Sequence, residues 1–289
     1  MSLRSHYETG QFGLSFELFP PKTTEAESAL WSHVQKLVEF HPSYFTCTYG
    51  AGGSTRDKTL EIVAQVRRRF GVPVASHLTC VGSAVDQLHG YLREASLHDV
   101  DYIVALRGDP PQGQSVFEAT AGGLSYANEL VSLIRSNFPE FGIAVAGYPE
   151  VHQEAPDAAT DLANLRRKVD CGADLVVTQL FYDNDDFFRF RDRCVAAGIH
   201  VPIVPGLLPV TNLAQIQRIT SLCKAKLPAA FVAKLSDQKD AAWQFQVGVE
   251  QAVAQVRGLI QGGIPGLHFY VLNKSQATAA VLEAVGIPR

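Results

Sequence analysis

Short apolar runs alternate with longer amphipathic stretches along the whole chain. The runs are almost continuously apolar, which is typical of strands covered on both faces, and the stretches between them repeat with helical spacing. The pattern predicts strands at residues 13–19, 43–49, 72–79, 100–106, 141–146, 173–180, 201–204 and 266–272. Each is followed by a predicted helix, and these span residues 25–40, 54–70, 84–97, 126–138, 158–171, 185–197, 212–223 and 276–285.

Eight strand–helix repeats in 289 residues favour an α/β fold, a single (β/α)₈ TIM barrel that spans residues 1–289 as one catalytic domain. An extra helical segment is expected between strands 7 and 8, from Ala229 to Leu235, followed by a long helix over 241–261. Residues 1–10 are expected to be flexible. The alternative, an open doubly wound sheet, calls for a glycine-rich turn after the first strand, where the chain has Pro20-Pro21-Lys22-Thr23.

Composition narrows the possible partners. The net charge is −4 with scattered charges, so no basic footprint for nucleic acid is present. No apolar run is long enough to span a membrane. The five cysteines are widely spaced without a CxxC pair, so a cytoplasmic location with free thiols is expected.

Glu17 lies in the middle of the first apolar strand. Strand side chains alternate, so Phe16 and Leu18 are predicted to face one side, and Ser15, Glu17 and Phe19 the other. A buried carboxylate tends to keep its proton unless it is paired. Glu17 is therefore either a general acid or a structural carboxylate paired with a core Arg or Lys.

Polar residues collect at the carboxyl ends of the predicted strands, where barrel enzymes place their active sites. We therefore predict one active site at this mouth. Its candidates are Glu17, Thr48, Tyr49, His77, Thr79, Arg107, Asp109, Tyr148, His152, Gln179, Tyr182, Asn273 and Lys274.

Several members of this set allow two interpretations. Residues 50–53, Gly-Ala-Gly-Gly, suit an anion cradle or a tight turn before a capping box at Ser54–Asp57. Arg107 and Asp109 suit a ligand site or a structural ion pair. On the helix after strand 5, Asp161, Asn164, Arg167 and Lys168 suit a polyhydroxy chain and phosphates, or a solvated surface.

The strand-end motifs together resemble the bacterial methylenetetrahydrofolate reductases, from about Gly13 to Pro288. The chain ends after one barrel, so the short bacterial type without a regulatory domain is expected. The motifs are SFELFPPKT (15–23), TYGA (48–51), HLTC (77–80), LRGD (106–109), GYPEVH (147–152), TQLFYD (178–183), PGLLP (205–209) and HFYVLN (268–273).

The resemblance implies an FAD-containing barrel. It implies reduction of 5,10-methylenetetrahydrofolate to 5-methyltetrahydrofolate by ping-pong hydride transfer from NADH or NADPH, which supplies methyl groups for methionine synthesis. It further implies a homo-oligomer, with no metal and no nucleic-acid or membrane partner.

The resemblance also implies roles for individual residues. Glu17 corresponds to the general acid that opens the folate ring to an iminium, and Asp109 to the carboxylate beside the flavin. Folate contacts are implied for Glu17, Asp109, Gln179 and Lys274. FAD contacts are implied for Thr48, His77, Arg107, Gly108, Asp109, Ala127, Tyr148, His152, Ala155, Asp161, Asn164, Arg167 and Lys168.

The chain departs from the family pattern in three places. Lys274 stands where the bacterial relatives carry Arg, Leu213 and Ile219 lie where an aromatic residue can cover the substrate, and the loop 110–123 is longer. Three rival functions stay open: a metal-dependent TIM-barrel hydrolase using Glu17, His77, Asp109 and His152, a Schiff-base enzyme using Lys234 or Lys274, and a non-catalytic flavin- or folate-binding protein. Absence of HxH or HExxH spacing disfavours the hydrolase.

Overall fold

A computed structural model of the chain describes residues 2–49, 56–110, 113, 116–238 and 240–287. The strands are β1 (Gly13–Leu18), β2 (Tyr44–Cys47), β3 (Val74–Thr79), β4 (Tyr102–Leu106), β5 (Gly142–Gly147), β6 (Leu175–Thr178), β7 (Ile203–Val204), β8 (Gly206–Leu207) and β9 (Gly266–Tyr270). The helices are α1 (Thr24–Val38), α2 (Arg56–Phe70), α3 (Val85–Leu97), α4 (Ala127–Asn137), α5 (Ala158–Asp170), α6 (Asn184–Ala196), α7 (Leu213–Cys223), α8 (Ala229–Ser236), α9 (Ala241–Gln261) and α10 (Gln276–Val285).

The strands form one parallel sheet in the order β7-β6-β5-β4-β3-β2-β1-β9-β8. The two short end strands, β7 and β8, occupy the seventh position together and are separated by Pro205. Because β7 pairs with β6 and β8 pairs with β9, the sheet closes into a barrel. A Cβ at Gly206 would lie 2.2 Å from the Thr178 carbonyl oxygen, so only glycine fits this junction. The predicted (β/α)₈ barrel is confirmed, with its seventh strand divided in two.

The alternation predicted for β1 separates two apolar cores. Phe16 and Leu18 belong to the large core between the sheet and its surrounding helices. Ser15 and Glu17 lie buried on the opposite, inner face of the barrel. A second cluster fills the lower interior, as in other barrels of this kind. It consists of Leu3, Tyr7, Tyr44, Ala75, Tyr102, Val104, Ala144, Leu175 and Val204.

The amino-terminal segment differs from the expected flexible end. Leu3–Tyr7 form a 3₁₀ helix, and Leu3 and Tyr7 are buried in the lower interior cluster. The His6 imidazole is also hydrogen-bonded to the Tyr102 hydroxyl at 2.8 Å. The expectation fails at these residues because Leu3 and Tyr7 fill the amino-terminal end of the barrel, a long-range contact that the local sequence does not encode.

The extra helical segment is confirmed as α8, one residue longer than expected. Together with α7 and α9 it encloses a third apolar cluster, which includes Tyr182, Leu208, Phe231 and Leu235. The predicted capping box at Ser54–Asp57 falls partly outside the described residues, as does the stretch 50–53. None of the described helices is long and apolar enough to cross a membrane.

Candidate active site

A cavity of about 580 Å³ opens at the carboxyl ends of the strands. Its size lies within the usual range of small-molecule and cofactor sites, roughly 300–1,000 Å³. The barrel brings nine of the predicted site residues to its wall: Glu17, Thr48, His77, Arg107, Gly108, Asp109, Tyr148, His152 and Gln179. The predicted convergence of strand-end residues on one mouth therefore holds for this group.

Glu17 lies buried in the cavity wall between two histidines. Its Oε2 atom is 3.2 Å from His77 Nε2 and 3.5 Å from His268 Nε2. His77 Nε2 is also 3.0 Å from the Thr46 hydroxyl, and His268 Nδ1 is 2.8 Å from the Ser15 hydroxyl. The carboxylate is thus partnered by imidazoles, and the Arg or Lys partner considered from the sequence is not found among the described residues.

This pairing determines the charge of Glu17. Burial alone would raise the pKa of Glu17, but the charge of His77 and hydrogen bonds from both imidazoles lower it to about 2. The expectation of a carboxyl that keeps its proton through an apolar setting is therefore wrong for the ligand-free protein. Glu17 is therefore an ionised acceptor that faces both imidazoles.

Arg107 extends from the end of β4 and pairs with Glu154. Its two terminal nitrogens donate to the two carboxylate oxygens at 2.6 Å each, and the Phe117 ring lies 4.9 Å from the guanidinium carbon. The ion pair considered between Arg107 and Asp109 is therefore formed with Glu154 instead. Asp109 is exposed at the cavity rim.

Gly108, between these two residues, adopts a left-handed backbone with φ of 88°. A Cβ there would lie 2.6 Å from Val81 Cγ1, so both the conformation and the space require glycine. This position lets the backbone between Arg107 and Asp109 lie at the cavity surface.

The residues predicted on α5 lie behind the cavity wall. The Asp161 carboxylate accepts from the His152 backbone N–H at 3.1 Å, and Lys168 Nζ donates to the Ala146 carbonyl at 2.5 Å. Burial lowers the pKa of Lys168 to about 8, with Asp161 opposing that shift. Asn164 accepts a 2.6 Å hydrogen bond from Arg167 on the exposed side of the helix.

Three further predicted residues lie outside the cavity lining. Ala127 begins α4 and Ala155 follows the loop of His152. Lys274 is exposed, beyond the end of β9. Gln179, in contrast, lines the cavity, and its Oε1 atom accepts from the Leu180 N–H at 2.9 Å.

The turn before Lys274 is fixed by Asn273. Leu272 and Asn273 both have positive φ angles, 48° and 56°, a conformation that asparagine tolerates better than leucine. The Asn273 side chain accepts from the Phe19 N–H and donates to the Phe19 carbonyl, both at 2.8 Å. This pair of hydrogen bonds joins the ends of β1 and β9 at the mouth.

The mouth is partly covered by α7. Ile219 lines the cavity together with Leu222, which is 69% exposed, whereas Leu213 packs in the third apolar cluster. Of the two positions considered for a substrate-covering side chain, Ile219 therefore reaches the cavity in this structure.

Sequence reasoning missed His268, Thr46, Ser15 and Tyr270 as site residues. His268 and Tyr270 alternate along β9, and the register pairs them with Ser15 and Glu17 of β1. A barrel always places its last strand beside its first, so alternation in β9 carried a usable signal for His268. The Glu154 partner of Arg107 comes from a loop and had no such signal.

The rival enzyme sites are not assembled in the structure. No group of three or more His, Cys, Asp or Glu side chains within the described residues is arranged to hold a metal ion. Lys234 is on α8 in an ion pair with Glu250 at 2.9 Å, and Lys274 is exposed, so neither amine lines the cavity.

A closed parallel α/β barrel with a buried acid and two imidazoles at its mouth defines a TIM-barrel enzyme. The family model described as methylenetetrahydrofolate reductase matches residues 2–286. The 5,10-methylenetetrahydrofolate reductase of Escherichia coli is 40% identical over 280 residues, which cover 96% of this chain and 92% of that one. The chain belongs to the methylenetetrahydrofolate reductase family.

Longer and more distant proteins are also similar. Methylenetetrahydrofolate reductase (NADH) 1 of Arabidopsis thaliana is 39% identical over 99% of this chain, which spans 50% of the plant protein. Among solved structures, a Clostridium thermocellum protein that binds two copies of 5-methyl-5,6,7,8-tetrahydrofolic acid superposes with a TM-score of 0.64 over 99% of both chains. At 13% identity that similarity shows the shared fold alone.

Proposed function

We propose that this protein reduces 5,10-methylenetetrahydrofolate to 5-methyltetrahydrofolate, with NADH or NADPH as the hydride donor and bound FAD as the carrier in a ping-pong sequence. The observation that supports the proposal most is the Glu17 carboxylate held between His77 and His268 in the cavity. Reduction of the methylene carbon needs a proton as well as a hydride, and this cluster holds exchangeable protons at a buried site.

The cavity suits a flavin in several respects. It is largely apolar, and the Nδ1 atom of His77 is buried without a hydrogen-bond partner among the described residues, so a ring N–H of a bound flavin would donate to it. Gly108 lies in the cavity lining, where the backbone between Arg107 and Asp109 would contact a planar ring. Bound there, FAD would accept hydride from the nicotinamide and pass it to the folate.

We assign the cofactor to the cavity wall and the adjacent face of α5. Lys168 on the inner side of α5 and Arg167 on its exposed side are the cations that suit the negative charge of a diphosphate. The full set of proposed FAD contacts is Thr48, His77, Arg107, Gly108, Asp109, Ala127, Tyr148, His152, Ala155, Asp161, Asn164, Arg167 and Lys168.

The folate is proposed to contact Glu17, Asp109, Gln179 and Lys274. Glu17 delivers the proton that lets the ring nitrogen leave, so that the methylene carbon becomes an iminium able to accept hydride. Asp109 at the rim sets the electrostatics beside the ring, and Lys274 meets a carboxylate of the glutamate tail. The product carries a methyl group suited to methionine synthesis.

We also propose that the chain works as a homo-oligomer in the cytoplasm.

The experiment is the absorbance spectrum of the purified protein, followed by anaerobic addition of NADH or NADPH and then of methylenetetrahydrofolate. We expect a yellow protein that is bleached by the nicotinamide and recovers its colour on adding folate. Denatured protein that releases no flavin would overturn the proposal. A flavin that is bleached but not reoxidised by folate would support the non-catalytic alternative.

A further inference from the structure

The inner face of the barrel carries a continuous set of buried polar groups below Glu17. His268 links Glu17 to Ser15, through the 3.5 Å Nε2–Oε2 contact on one side and the 2.8 Å Nδ1–Oγ contact on the other. Ser15 is fully buried and does not line the cavity. It therefore has no access to substrate and can act only on the imidazole.

Two tyrosines, Tyr7 and Tyr44, extend the buried polar groups below Ser15. The Tyr7 and Tyr44 hydroxyls are 2.9 Å apart. Burial raises the pKa of Tyr44, and hydrogen bonding with Ser15 and Tyr7 opposes that rise. Tyr7 belongs to the 3₁₀ helix that fills the amino-terminal end of the barrel, and the register of β1 and β2 sets Tyr44 beside Ser15, so this helix lies next to the polar set.

We propose that Ser15, supported by Tyr7 and Tyr44, is a positioning residue that makes His268 the proton source for Glu17. This inference rests on the proposed reductase function and goes beyond it, because it assigns different roles to the two histidines beside the acid. It also gives the amino-terminal helix a part in the proton step.

The two imidazoles differ in what their Nδ1 atoms contact. A serine hydroxyl can donate to a bare imidazole nitrogen or accept from a protonated one. His268 Nδ1 therefore has a partner in both states. His77 Nδ1 is buried without a partner among the described residues, so a proton there would be unsatisfied. A buried donor without an acceptor is destabilising, which favours storage of the proton on His268.

The proton step is balanced within this cluster. His268 Nε2–H passes its proton to Glu17 Oε2, and Glu17 passes it to the leaving nitrogen of the folate, while the hydride goes to the methylene carbon. His268, protonated on both nitrogens before this transfer, keeps its Nδ1 proton and donates it to the Ser15 oxygen. Solvent restores the proton when the product leaves the mouth.

Other ionisable groups around His268 stay uncharged in this cycle. Tyr270 of β9 packs edge-on to the His268 ring at 5.0 Å, and burial, followed by the Glu17 charge, raises its pKa well above the usual value. Burial likewise raises the pKa of the Tyr7 hydroxyl, and burial and then the Glu17 charge raise that of the Cys47 thiol on β2. With Tyr44 also raised, Glu17, His77 and His268 are the groups that exchange the proton.

The test compares Ser15→Ala and Tyr7→Phe with Tyr102→Phe. Tyr102→Phe is the matched control. Like Tyr7→Phe it removes one tyrosine hydroxyl, but that hydroxyl is hydrogen-bonded to His6. Stopped-flow measurements follow each half-reaction against pH. Ser15→Ala removes the acceptor for the Nδ1 proton and so destabilises the protonated imidazole. The high-pH limb, the pH range in which the folate half-reaction slows, should therefore begin about one pH unit lower, which is a tenfold change in proton affinity. Tyr7→Phe should shift it less and Tyr102→Phe not at all.

Flavin reduction by NADH should keep its pH dependence in all three variants. Histidine-selective ¹⁵N NMR gives a second readout: His268, assigned with His268→Gln, should carry its neutral-state proton on Nδ1, where the Ser15 oxygen accepts it, and Ser15→Ala should change that preference. If Ser15→Ala and Tyr7→Phe leave both the limb and the tautomer unchanged while NADH and folate still react, the inference is wrong and the reductase function stands. If no half-reaction occurs in the wild-type protein, the proposed function itself fails.

Discussion

Glu17 Oε2 lies 3.2 Å from His77 Nε2, with both side chains about nine-tenths buried. The contact places an acceptor-only carboxylate against an imidazole that must donate to it. Glu17 is consequently ionised at neutral pH, and as the proposed acid it would take its proton from a neighbouring ring.

The first prediction concerns this pair. His77→Gln removes the charge that does most to oppose the burial of Glu17, so the Glu17 pKa should rise from about 2 towards or above its ordinary value of 4.5. The carboxyl resonance of Glu17 in ¹³C NMR, titrated in both proteins, measures the change. Thr46→Val, which removes the other contact of His77 Nε2, is the matched control and should shift the titration less.

The contact between Glu17 and His77 should also make the free energy of unfolding depend on pH. The folded pKa of Glu17 lies below its ordinary value, so its contribution is complete above about pH 4.5 and is lost as pH falls towards about 2. Denaturant unfolding of the wild-type protein should show this loss, and His77→Gln should flatten it. Equal slopes in the two proteins would place the acid sensitivity elsewhere.

The Lys168 ammonium should make the affinity for flavin depend on pH. Its pKa of about 8 in the free protein means that its charge is present at pH 7 and lost above pH 8. If the ammonium meets a diphosphate, binding above pH 8 must take up a proton, so the flavin dissociation constant should rise up to tenfold per pH unit there. Fluorescence titration of flavin-free protein measures it. Lys168→Met should bind more weakly and lose this pH dependence; a dependence that persists would assign it to another group.

Asp109 is expected to control the flavin potential. A carboxylate near the ring disfavours its anionic reduced form, so Asp109→Asn should raise the midpoint potential, by roughly 30 mV for a tenfold change in the two-electron equilibrium. Folate reduction should slow at the same time. Redox titration against a reference dye measures the potential, and an unchanged value would place Asp109 away from the ring.

Lys274 is expected to act on folate binding. It is exposed and outside the cavity lining, so Lys274→Ala should raise the KM for folate more than it lowers kcat. Exposed ion pairs contribute roughly 0.2–1 kcal/mol, which limits the effect to about fivefold. Lys274→Arg, which offers a bidentate fork, should restore or lower the KM. Collapse of kcat at constant KM would contradict this role.

The parts of the fold that sequence could predict are those set by local periodicity. Alternation in β1 placed Phe16 outside and Glu17 inside the barrel, and polar residues at strand ends predicted the mouth. The division of the seventh strand was not predictable, because it depends on the contact of Gly206 with Thr178 across the barrel. The burial of Tyr7 likewise depends on closure of the whole sheet.

The sequence predicted where the site residues lie better than it predicted their partners and charge states. Glu17 and Arg107 are where the strand ends put them, but their partners, His268 and Glu154, come from distant segments. An apolar strand suggested a protonated acid, whereas the folded cluster ionises it. Charge state depends on which groups meet in space, and that information lies in the register between β1 and β9.

Glu17→Gln tests whether Glu17 transfers the proton in folate reduction. Gln is nearly equal in size but cannot deliver a proton, so the folate half-reaction should slow by about 10²–10⁴-fold. Flavin reduction by NADH needs no such proton and should change little. Stopped-flow flavin absorbance in each half-reaction is the measurement. Equal slowing of both half-reactions would make Glu17 structural, and slowing of neither would assign the acid to another group.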